Sequence, residues 1–363
     1  MNTWRARLLP PALAIVFSVL LCTVALVLSG DDPLLAFGTM IEELGRGTTA
    51  VDTINSASVY YLSGLAVAIG FQMKLFNIGV EGQYRFAAIV AAIIGGAITL
   101  PFGLHAIVII LVAALAGAAY AAIPALLKVT RGVSEVISTI MLNAVVGGLV
   151  ALGINTFGVL RGYNIGTAEI PESGRIPGIA LGHAGTVFGF VFIAALVGVS
   201  YWVMLNRTRF GFELRASGES PTAALAGGVS SSRMVMVAML LSGGVAGLIA
   251  MPELLGRDYS YGITSPAMYG FTGIAVALLG RNNPAGIAFG AVLWAFLDKS
   301  AVSLDDIGVP KEIAIIMQGS IVLSVVVAYE VVRRVELAAE QRRVGRQLGG
   351  TDNGPKTPAQ AAS

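Results

Sequence analysis

The sequence predicts an all-α, polytopic integral membrane protein with about ten transmembrane helices and both termini in the cytosol. Of its 363 residues, 56% are hydrophobic and only 12% are charged. Soluble domains carry about twice that share of charged residues, roughly 25%. The mean hydropathy is +0.80, and a soluble globule of this length could not bury so much apolar surface.

The same totals exclude several classes of protein and site. The net charge is only +2, so the basic surface of a nucleic-acid-binding protein is missing and we expect no nucleic-acid partner. The single cysteine, Cys22, lies in an apolar run and offers neither a disulfide framework nor a CxxC site. With only His105 and His183 present, we expect no metal centre. No GxxxxGK[ST] phosphate loop occurs, and we predict no catalytic residue.

Ten apolar stretches are long enough to be membrane spans, since a bilayer-crossing helix needs about 20 mostly apolar residues. They lie at about 10–29, 56–73, 84–100, 104–127, 134–153, 184–205, 234–252, 264–280, 284–300 and 312–332. The first follows Arg5 and Arg7 and so resembles the start of a signal peptide. Its apolar run is long and no clear A-x-A site follows, so we interpret it as a retained span.

The remaining segments define the domain organisation. Residues 1–348 form one transmembrane domain, and the polar tail 349–363 is predicted to be disordered. Residues 31–55 are too polar to span and predict an outer loop with a short amphipathic piece. Residues 154–183 predict a second outer loop, rich in Gly and Pro. The largest inner loop is 206–233.

The loop charges predict the orientation, because cytosolic loops of membrane proteins carry an excess of Lys and Arg. With a cytosolic N-terminus, the inner loops and the tail hold Arg5, Arg7, Lys74, Arg85, Lys128, Arg131, Arg207, Arg209, Arg215, Arg233, Arg281, Arg333, Arg334, Arg342, Arg343, Arg346 and Lys356. The outer side holds only Arg46, Arg161, Arg175, Arg257, Lys299 and Lys311. This bias favours cytosolic termini.

Few charges fall well inside any predicted span. A charge at the bilayer centre usually marks an ion or proton path, so their scarcity argues against a carrier driven by an ion gradient. Neutral polar residues occur there instead, namely Asn77, Thr139, Asn143, Ser242, Thr272 and Gln318. They suit hydrogen bonding to an uncharged polar solute, and hydrogen bonds between helices are an equally good interpretation.

The inner loop contains a short predicted helix with its own capping signals. Ser220 suits the N-cap and Pro221 the first helical position, while Gly227 can end the helix. So short a helix is marginal alone in water, so it must pack against its own spans or against a partner. The small residues Ala223 and Ala224 would suit docking into a groove on a soluble protein, and a connector lying on the lipid surface is the alternative.

Four segments in order resemble one family. Residues 76–83, FNIGVEGQ, resemble the signature of ABC importer permeases of the simple-sugar and nucleoside type, within the superfamily of branched-chain-amino-acid and ribose permeases. Residues 214–224, LRASGESPTAA, resemble the family's coupling loop, although the family often has AVGENP where this chain has ASGESP. Residues 241–247, LSGGVAG, and 269–280, YGFTGIAVALLG, are similar to further family segments.

The resemblance implies a function and a set of partners. It implies a plasma-membrane permease subunit that moves a nucleoside or related simple sugar inward. ABC ATPase subunits, which bind Mg-ATP, would supply the energy, so this chain would have no cofactor and no enzymatic activity of its own. A second, related permease chain and an extracytoplasmic substrate-binding protein, often a lipoprotein, would complete the system. A secondary active transporter of a small polar solute is the alternative.

The resemblance also assigns candidate residues. Contact with the ATPase is expected at Arg215, Gly218, Glu219, Ser220, Pro221, Ala223, Ala224 and Gly227. The signature residues are Phe76, Asn77, Gly79, Glu81, Gly82 and Gln83. For the substrate pathway we consider Thr139, Asn143, Phe271 and Thr272.

We interpret Glu81, which lies among glycines, as structural. Its carboxylate is expected to accept backbone N–H bonds or to pair with Lys74 or Arg85, rather than to contact the solute.

Overall fold

The computed structural model describes residues 3–161 and 164–349. The chain divides into two compact units, one made of its two ends, up to Pro33 and from Ile315, and one spanning Leu34–Ala314. The helices are α1 (Thr3–Ser29), α2 (Pro33–Leu44), α3 (Gly47–Phe71), α4 (Val80–Ala97), α5 (Leu104–Arg131), α6 (Glu135–Phe157), α7 (Phe190–Arg207), α8 (Arg209–Glu219), α9 (Pro221–Ala226), α10 (Ser231–Gly247), α11 (Met251–Glu253), α12 (Tyr269–Leu279), α13 (Pro284–Asp306) and α14 (Lys311–Gly349). The predicted tail lies outside the described residues from residue 350 onward.

The predicted multi-pass membrane architecture is confirmed, although not the exact count of ten spans. Seven of the described helices are long and apolar enough to cross a membrane, in α3, α5, α6, α7, α10 with its continuation, α13 and α14. Each overlaps one predicted span. The predicted spans 10–29 and 84–100 overlap α1 and α4, so the count of ten and the orientation remain predictions.

The span predicted at 264–280 is wrong in extent. The helix there, α12, has only 11 residues and a length of about 16 Å, roughly half of the hydrocarbon core. The chain reaches it through an irregular segment, residues 259–268, in which Tyr259 and Met268 adopt left-handed backbone conformations with φ of 53° and 74°. The segment includes Gly262 and Pro266, which interrupt helices, and the helix begins only at Tyr269.

Helix α3 lies at the centre of the larger unit, where it packs against α7, α10, α12 and α13. Of the most apolar stretch of this helix, 78% is buried inside the protein. Helix α10 packs closely against α5 because Gly243 faces the backbone of Gly117. A Cβ atom on either glycine would collide with the carbonyl oxygen of the other. Small residues let helix backbones approach in this way.

The outer loops contain more regular structure than the sequence predicts. Residues 31–55 hold the expected amphipathic piece, α2, which buries Ala36, Met40 and Glu43. The 154–183 region and the residues just after it form two short antiparallel pairs, β1 (Val159–Arg161) with β2 (Asn164–Gly166), and β3 (Ile179–Ala180) with β4 (Thr186–Val187). The all-α prediction therefore misses four strands of two or three residues.

In the unit formed by the chain ends, α1 and part of α14 lie together. Cys22 is buried and its thiol lies 4.0 Å from the carbonyl oxygen of Met317. Leu26 on the same helix is also fully buried. The cysteine therefore behaves as a small apolar core residue, as its apolar sequence context predicts.

Candidate functional site

Residues 76–83, which we call the buried motif, form the turn between α3 and α4 and the first residues of α4. Asn77 is 1% exposed. Its amide forms a reciprocal pair with the amide of Gln83, with both N···O distances at 3.2 Å. It also donates to Ser242 Oγ at 2.9 Å, and that hydroxyl donates to the carbonyl of Ala66 at 2.7 Å. The motif thereby joins α3, α4 and α10.

Glu81 holds the start of α12. The carboxylate is buried and accepts the backbone N–H groups of Met268 and Gly270, each at 3.0 Å. The first N–H groups of a helix have no partner within it, and the positive end of the helix dipole favours an anion there. The expectation that Glu81 accepts backbone bonds is therefore confirmed.

Neither of the two alternative partners pairs with Glu81 among the described residues. Lys74 pairs with Glu219, with Nζ 3.0 Å from Oε2. Within the described residues Arg85 makes no ion pair with Glu81, and its buried Nε has no acceptor. The hydroxyl of Tyr84 reaches both Glu81, at 3.4 Å, and the carbonyl of Pro266, at 3.2 Å.

Two of the residues considered for the substrate pathway contact the buried motif. Asn143 Nδ2 donates to the carbonyl of Ile78 at 3.0 Å, and its Oδ1 accepts the N–H of Gly82 at 2.9 Å. Thr139 is fully buried and lies where a Cβ atom on Gly79 would approach to 2.9 Å. These side chains hold α6 against the motif.

The other pathway candidates lie on α12. Phe271 is exposed, whereas Thr272 is half-buried and donates to the carbonyl of Met268. Phe76 of the buried motif is also exposed, with its ring 5.2 Å from that of Phe71. The four pathway candidates therefore lie on two helices, α6 and α12, and among them only Phe271 has an exposed side chain.

Residues 206–233, which we call the coupling segment, contain two helices rather than one. The predicted short helix is α9, with Ser220 accepting the N–H of Ala223 at 3.3 Å and Pro221 in the first turn. Helix α8 precedes it and was not predicted. Its signals are a Thr208 N-cap, which accepts the N–H of Gly211, and an ion pair between Arg209 and Glu213.

The coupling segment is fixed to the end of α3. Gly218 is buried against the backbone, where a Cβ atom would collide with the Gln72 carbonyl and approach Met73 Cα to 2.9 Å. The Lys74–Glu219 ion pair joins the same two parts of the chain. The Arg215 guanidinium donates to the carbonyl of Leu205 on α7. The segment therefore cannot move far without moving α3 or α7.

The exposed surface of the coupling segment differs from the predicted one. Ala224 is buried, so it faces the protein rather than the solvent, because one face of a six-residue helix must pack on its neighbours. Ala223 is exposed, and so are the large apolar side chains of Phe212 and Leu225, at 65% and 68%.

Tyr201 links the coupling segment region to the far end of α12. Its hydroxyl accepts from Gln72 Nε2 at 3.1 Å and donates to the carbonyl of Asn282, in the turn after α12, at 3.1 Å. The sequence does not single out this residue, since a tyrosine in an apolar span gives no signal of its partners. Helix α12 is thus held by Glu81 at its start and by Tyr201 just past its end.

No group of three or more His, Cys, Asp or Glu side chains in the described part of the chain could hold a metal ion. The site consists of amide, hydroxyl and backbone hydrogen bonds around one buried carboxylate. Such a site can position helices.

Comparison with known proteins gives a consistent family. Over 341 residues the chain is 33% identical to the guanosine ABC transporter permease protein NupP of Bacillus subtilis, covering 90% of this chain and 95% of that protein. It is 30% identical to a glucose ABC transporter permease protein of Haloferax volcanii, over 92% and 90% of the two chains. It is 28% identical to the nucleoside ABC transporter permease protein NupB of Lactococcus lactis, over 91% and 93%.

No solved structure matches the chain. The family described as "Branched-chain amino acid transport system / permease component" matches residues 49–326, a range that includes the buried motif, the coupling segment and α12. The chain belongs to this family of transport-system permease components.

Proposed function

We propose that this chain is the permease subunit of an ABC importer that carries a nucleoside, or a related simple sugar, into the cell across the plasma membrane. The observation that carries the proposal is the similarity to a guanosine permease along nearly the whole of both chains. The relatives named for nucleosides and glucose support an uncharged, hydroxyl-rich solute. Mg-ATP would be bound and hydrolysed by separate subunits.

The coupling segment is the proposed contact for those ATPase subunits. Its exposed Phe212 and Leu225 offer apolar side chains to a soluble partner, and Ala223 lets that partner approach closely. With Gly218 packed on α3, displacement of the segment moves the end of α3. Through Tyr201 and Gln72 the same displacement reaches the turn after α12.

This assignment orients the chain with both termini and the coupling segment in the cytosol. Arg207, Arg209, Arg215 and Arg233 lie in or beside that segment, in keeping with the excess of cations on the cytosolic side. A second permease chain is proposed to pair with this one, and an extracytoplasmic binding protein to deliver the solute to the opposite face.

The test is transport in proteoliposomes that contain this chain with the ATPase, second permease and binding protein encoded by neighbouring genes. Vesicles loaded with ATP should accumulate tritiated guanosine when the binding protein is outside, and a protonophore with a sodium ionophore should not abolish uptake. Vesicles loaded with a non-hydrolysable ATP analogue are the control. Uptake that follows an imposed ion gradient and ignores ATP would identify a secondary carrier instead.

A further inference from the structure

A polar cavity of about 480 Å³ lies at the end of α10 that is farthest from the coupling segment. Its walls come from β2, from the chain that continues α10, and from residues 260–266. The lining residues include Ile165, Arg257, Asp258, Thr264 and Pro266. Its volume is within the range of about 300–1,000 Å³ that is usual for small-molecule sites.

An irregular backbone builds this cavity. Residues Leu254–Asp258 form a single π-helical turn, a feature that is rare and is frequently found at functional sites. Tyr259 follows in a left-handed conformation. Gly262 then pairs with Gly166, and the N–H of Thr167 donates to the carbonyl of Tyr261 at 2.8 Å. The π-turn and the bridge hold the two walls apart at a fixed separation.

The charged pair in the cavity has hydrogen-bonding capacity to spare. Arg257 uses Nε and Nη2 on Asp258, at 2.7 and 3.2 Å, and Nη2 also donates to Glu253 at 3.2 Å. A guanidinium has five N–H donors and a carboxylate about four acceptor positions. The two donors on Arg257 Nη1 and two acceptor positions on Asp258 therefore remain, and no described residue takes them.

The spare donors of Arg257 and the spare acceptors of Asp258 belong to one ion pair, and together they complement a vicinal diol. Each hydroxyl of a diol donates one hydrogen bond and accepts another, so one can donate to Asp258 while the other accepts from Arg257. The pair is neutral overall, which favours an uncharged ligand. Ile165 and Pro266 add apolar surface on which a flat base or the C–H face of a sugar can lie.

The cavity is connected to α12, the helix that Glu81 and Tyr201 hold at its two ends. Pro266 lines the cavity, and its carbonyl accepts from Tyr84. Two residues later the N–H of Met268 donates to Glu81, where α12 begins. A ligand in the cavity therefore lies against the segment that leads directly into α12.

We propose that this cavity is a receiving site for the ribose diol of a ribonucleoside, formed by Arg257 and Asp258, on the extracytoplasmic side of the permease. The proposal rests on the proposed nucleoside transport and adds to it the group of the solute that is recognised and the residues that recognise it. The solute would pass from the binding protein to this cavity before α12 moves.

The experiment compares guanosine with 2′-deoxyguanosine, which lacks one hydroxyl of the diol, in the complete ATP-loaded proteoliposome system. Because a hydrogen bond to a charged group is lost, the wild type should show a KM about tenfold higher for the deoxynucleoside. In Asp258→Asn this ratio should fall to within about threefold, since the carboxylate acceptor is gone. The binding protein is the same in every arm, so its own preference cancels from the comparison between variants.

Two further variants make the test specific. Thr264→Trp, at an exposed position on the cavity wall, should fill the cavity and raise the KM for guanosine about tenfold without altering the charged pair. Asp52→Asn is the matched control, because Asp52 is an exposed acid that lines a neighbouring cavity of about 330 Å³. It should leave the ratio unchanged.

The outcomes separate the two proposals. If the wild type accumulates guanosine with ATP but does not discriminate against the deoxynucleoside, or if Asp258→Asn and Thr264→Trp both behave as wild type, the receiving site is disproved and the transport function stands. If the wild type takes up no nucleoside with ATP, the transport function fails and the receiving site fails with it. Should Asp258→Asn not reach the membrane, Thr264→Trp alone decides.

Discussion

The carboxylate of Glu81, at the start of α4, accepts the backbone N–H of Gly270, at the start of the shorter helix α12, at 3.0 Å. The two residues are 189 positions apart in the chain. Gly270 is packed so closely on the backbone of Glu81 that a side chain there would collide with it. One carboxylate thus fixes both the position and the beginning of α12.

Replacing Glu81 should destabilise the protein. In Glu81→Ala the buried N–H groups of Met268 and Gly270 lose their acceptor, at a cost of about 2–5 kcal/mol. Glu81→Gln keeps one acceptor oxygen and should lose less. Thermal unfolding in detergent measures both. Glu219→Ala, which removes an exposed carboxylate, should stay within about 0.5 kcal/mol of wild type. An unchanged melting temperature for Glu81→Ala would contradict the capping role.

Asn77 and Ser242 should be energetically coupled. Their side chains are in direct contact at 2.9 Å, and buried groups that share a hydrogen-bond network typically show interaction energies of about 0.5–3 kcal/mol. A double-mutant cycle of Asn77→Ala and Ser242→Ala, read by denaturation in detergent, measures this energy. Additive effects within about 0.3 kcal/mol would mean that the network does not act as a unit.

Gly218→Ala should uncouple ATP hydrolysis from transport. The added Cβ would meet the Gln72 carbonyl and separate α8 from the end of α3. We expect guanosine uptake to fall at least about tenfold, as for other misplacements of a positioned element, while ATP hydrolysis by the complex continues. Gly38→Ala on α2 is the control, because a Cβ there meets nothing within 4 Å. Equal loss of both activities would favour simple misfolding.

Tyr201→Phe tests the hydrogen bond that holds the turn after α12. The change removes the hydroxyl that joins Gln72 to Asn282, at a cost of about 1–3 kcal/mol in buried hydrogen bonding. Uptake per ATP hydrolysed should fall, because the turn after α12 no longer follows α3. Tyr61→Phe is the matched control, since the Tyr61 hydroxyl has no hydrogen-bond partner among the described residues. If the two variants behave alike, the Tyr201 link has no role in coupling.

Glu43 should make stability depend on pH in the acid range. The hydrogen bond from Thr49 Oγ1, at 2.7 Å, together with the nearby Arg46, holds the pKa of this carboxyl below its ordinary value of 4.5. A carboxyl whose pKa is lower in the folded state than in the unfolded state stabilises the fold at pH values above its unfolded-state pKa. This stabilisation is lost as the pH falls through the folded-state pKa. Wild type should therefore lose its stability advantage over Glu43→Gln below about pH 4.5. Thermal unfolding of both proteins from pH 3 to 7 measures this difference. A constant difference across that range would be contrary to this prediction.

The sequence predicts the cap at Ser220 and Pro221 correctly, because capping depends on residues that are adjacent in the chain. It predicts α12 too long, because the predicted span takes in Thr264, Ser265 and Pro266, which lie outside the apolar run that forms the helix. The start of α12 depends on Glu81, and no local pattern can reveal a partner so distant in sequence. The burial of Ala224 is hidden for the same reason, since it depends on what packs against α9.

The pairing of Glu81 with the start of α12 also bears on the electrical behaviour of the protein. A helix start carries about half a positive elementary charge, which the opposite end of the helix balances with half a negative charge. Helix α12 therefore has no net charge of its own, and the pair carries the full negative charge of the carboxylate. A transmembrane voltage does work of about 2.3 kcal/mol per 100 mV on each full charge that crosses the membrane. Movement of this pair along the membrane normal would therefore displace up to one elementary charge, and the membrane potential would influence its position.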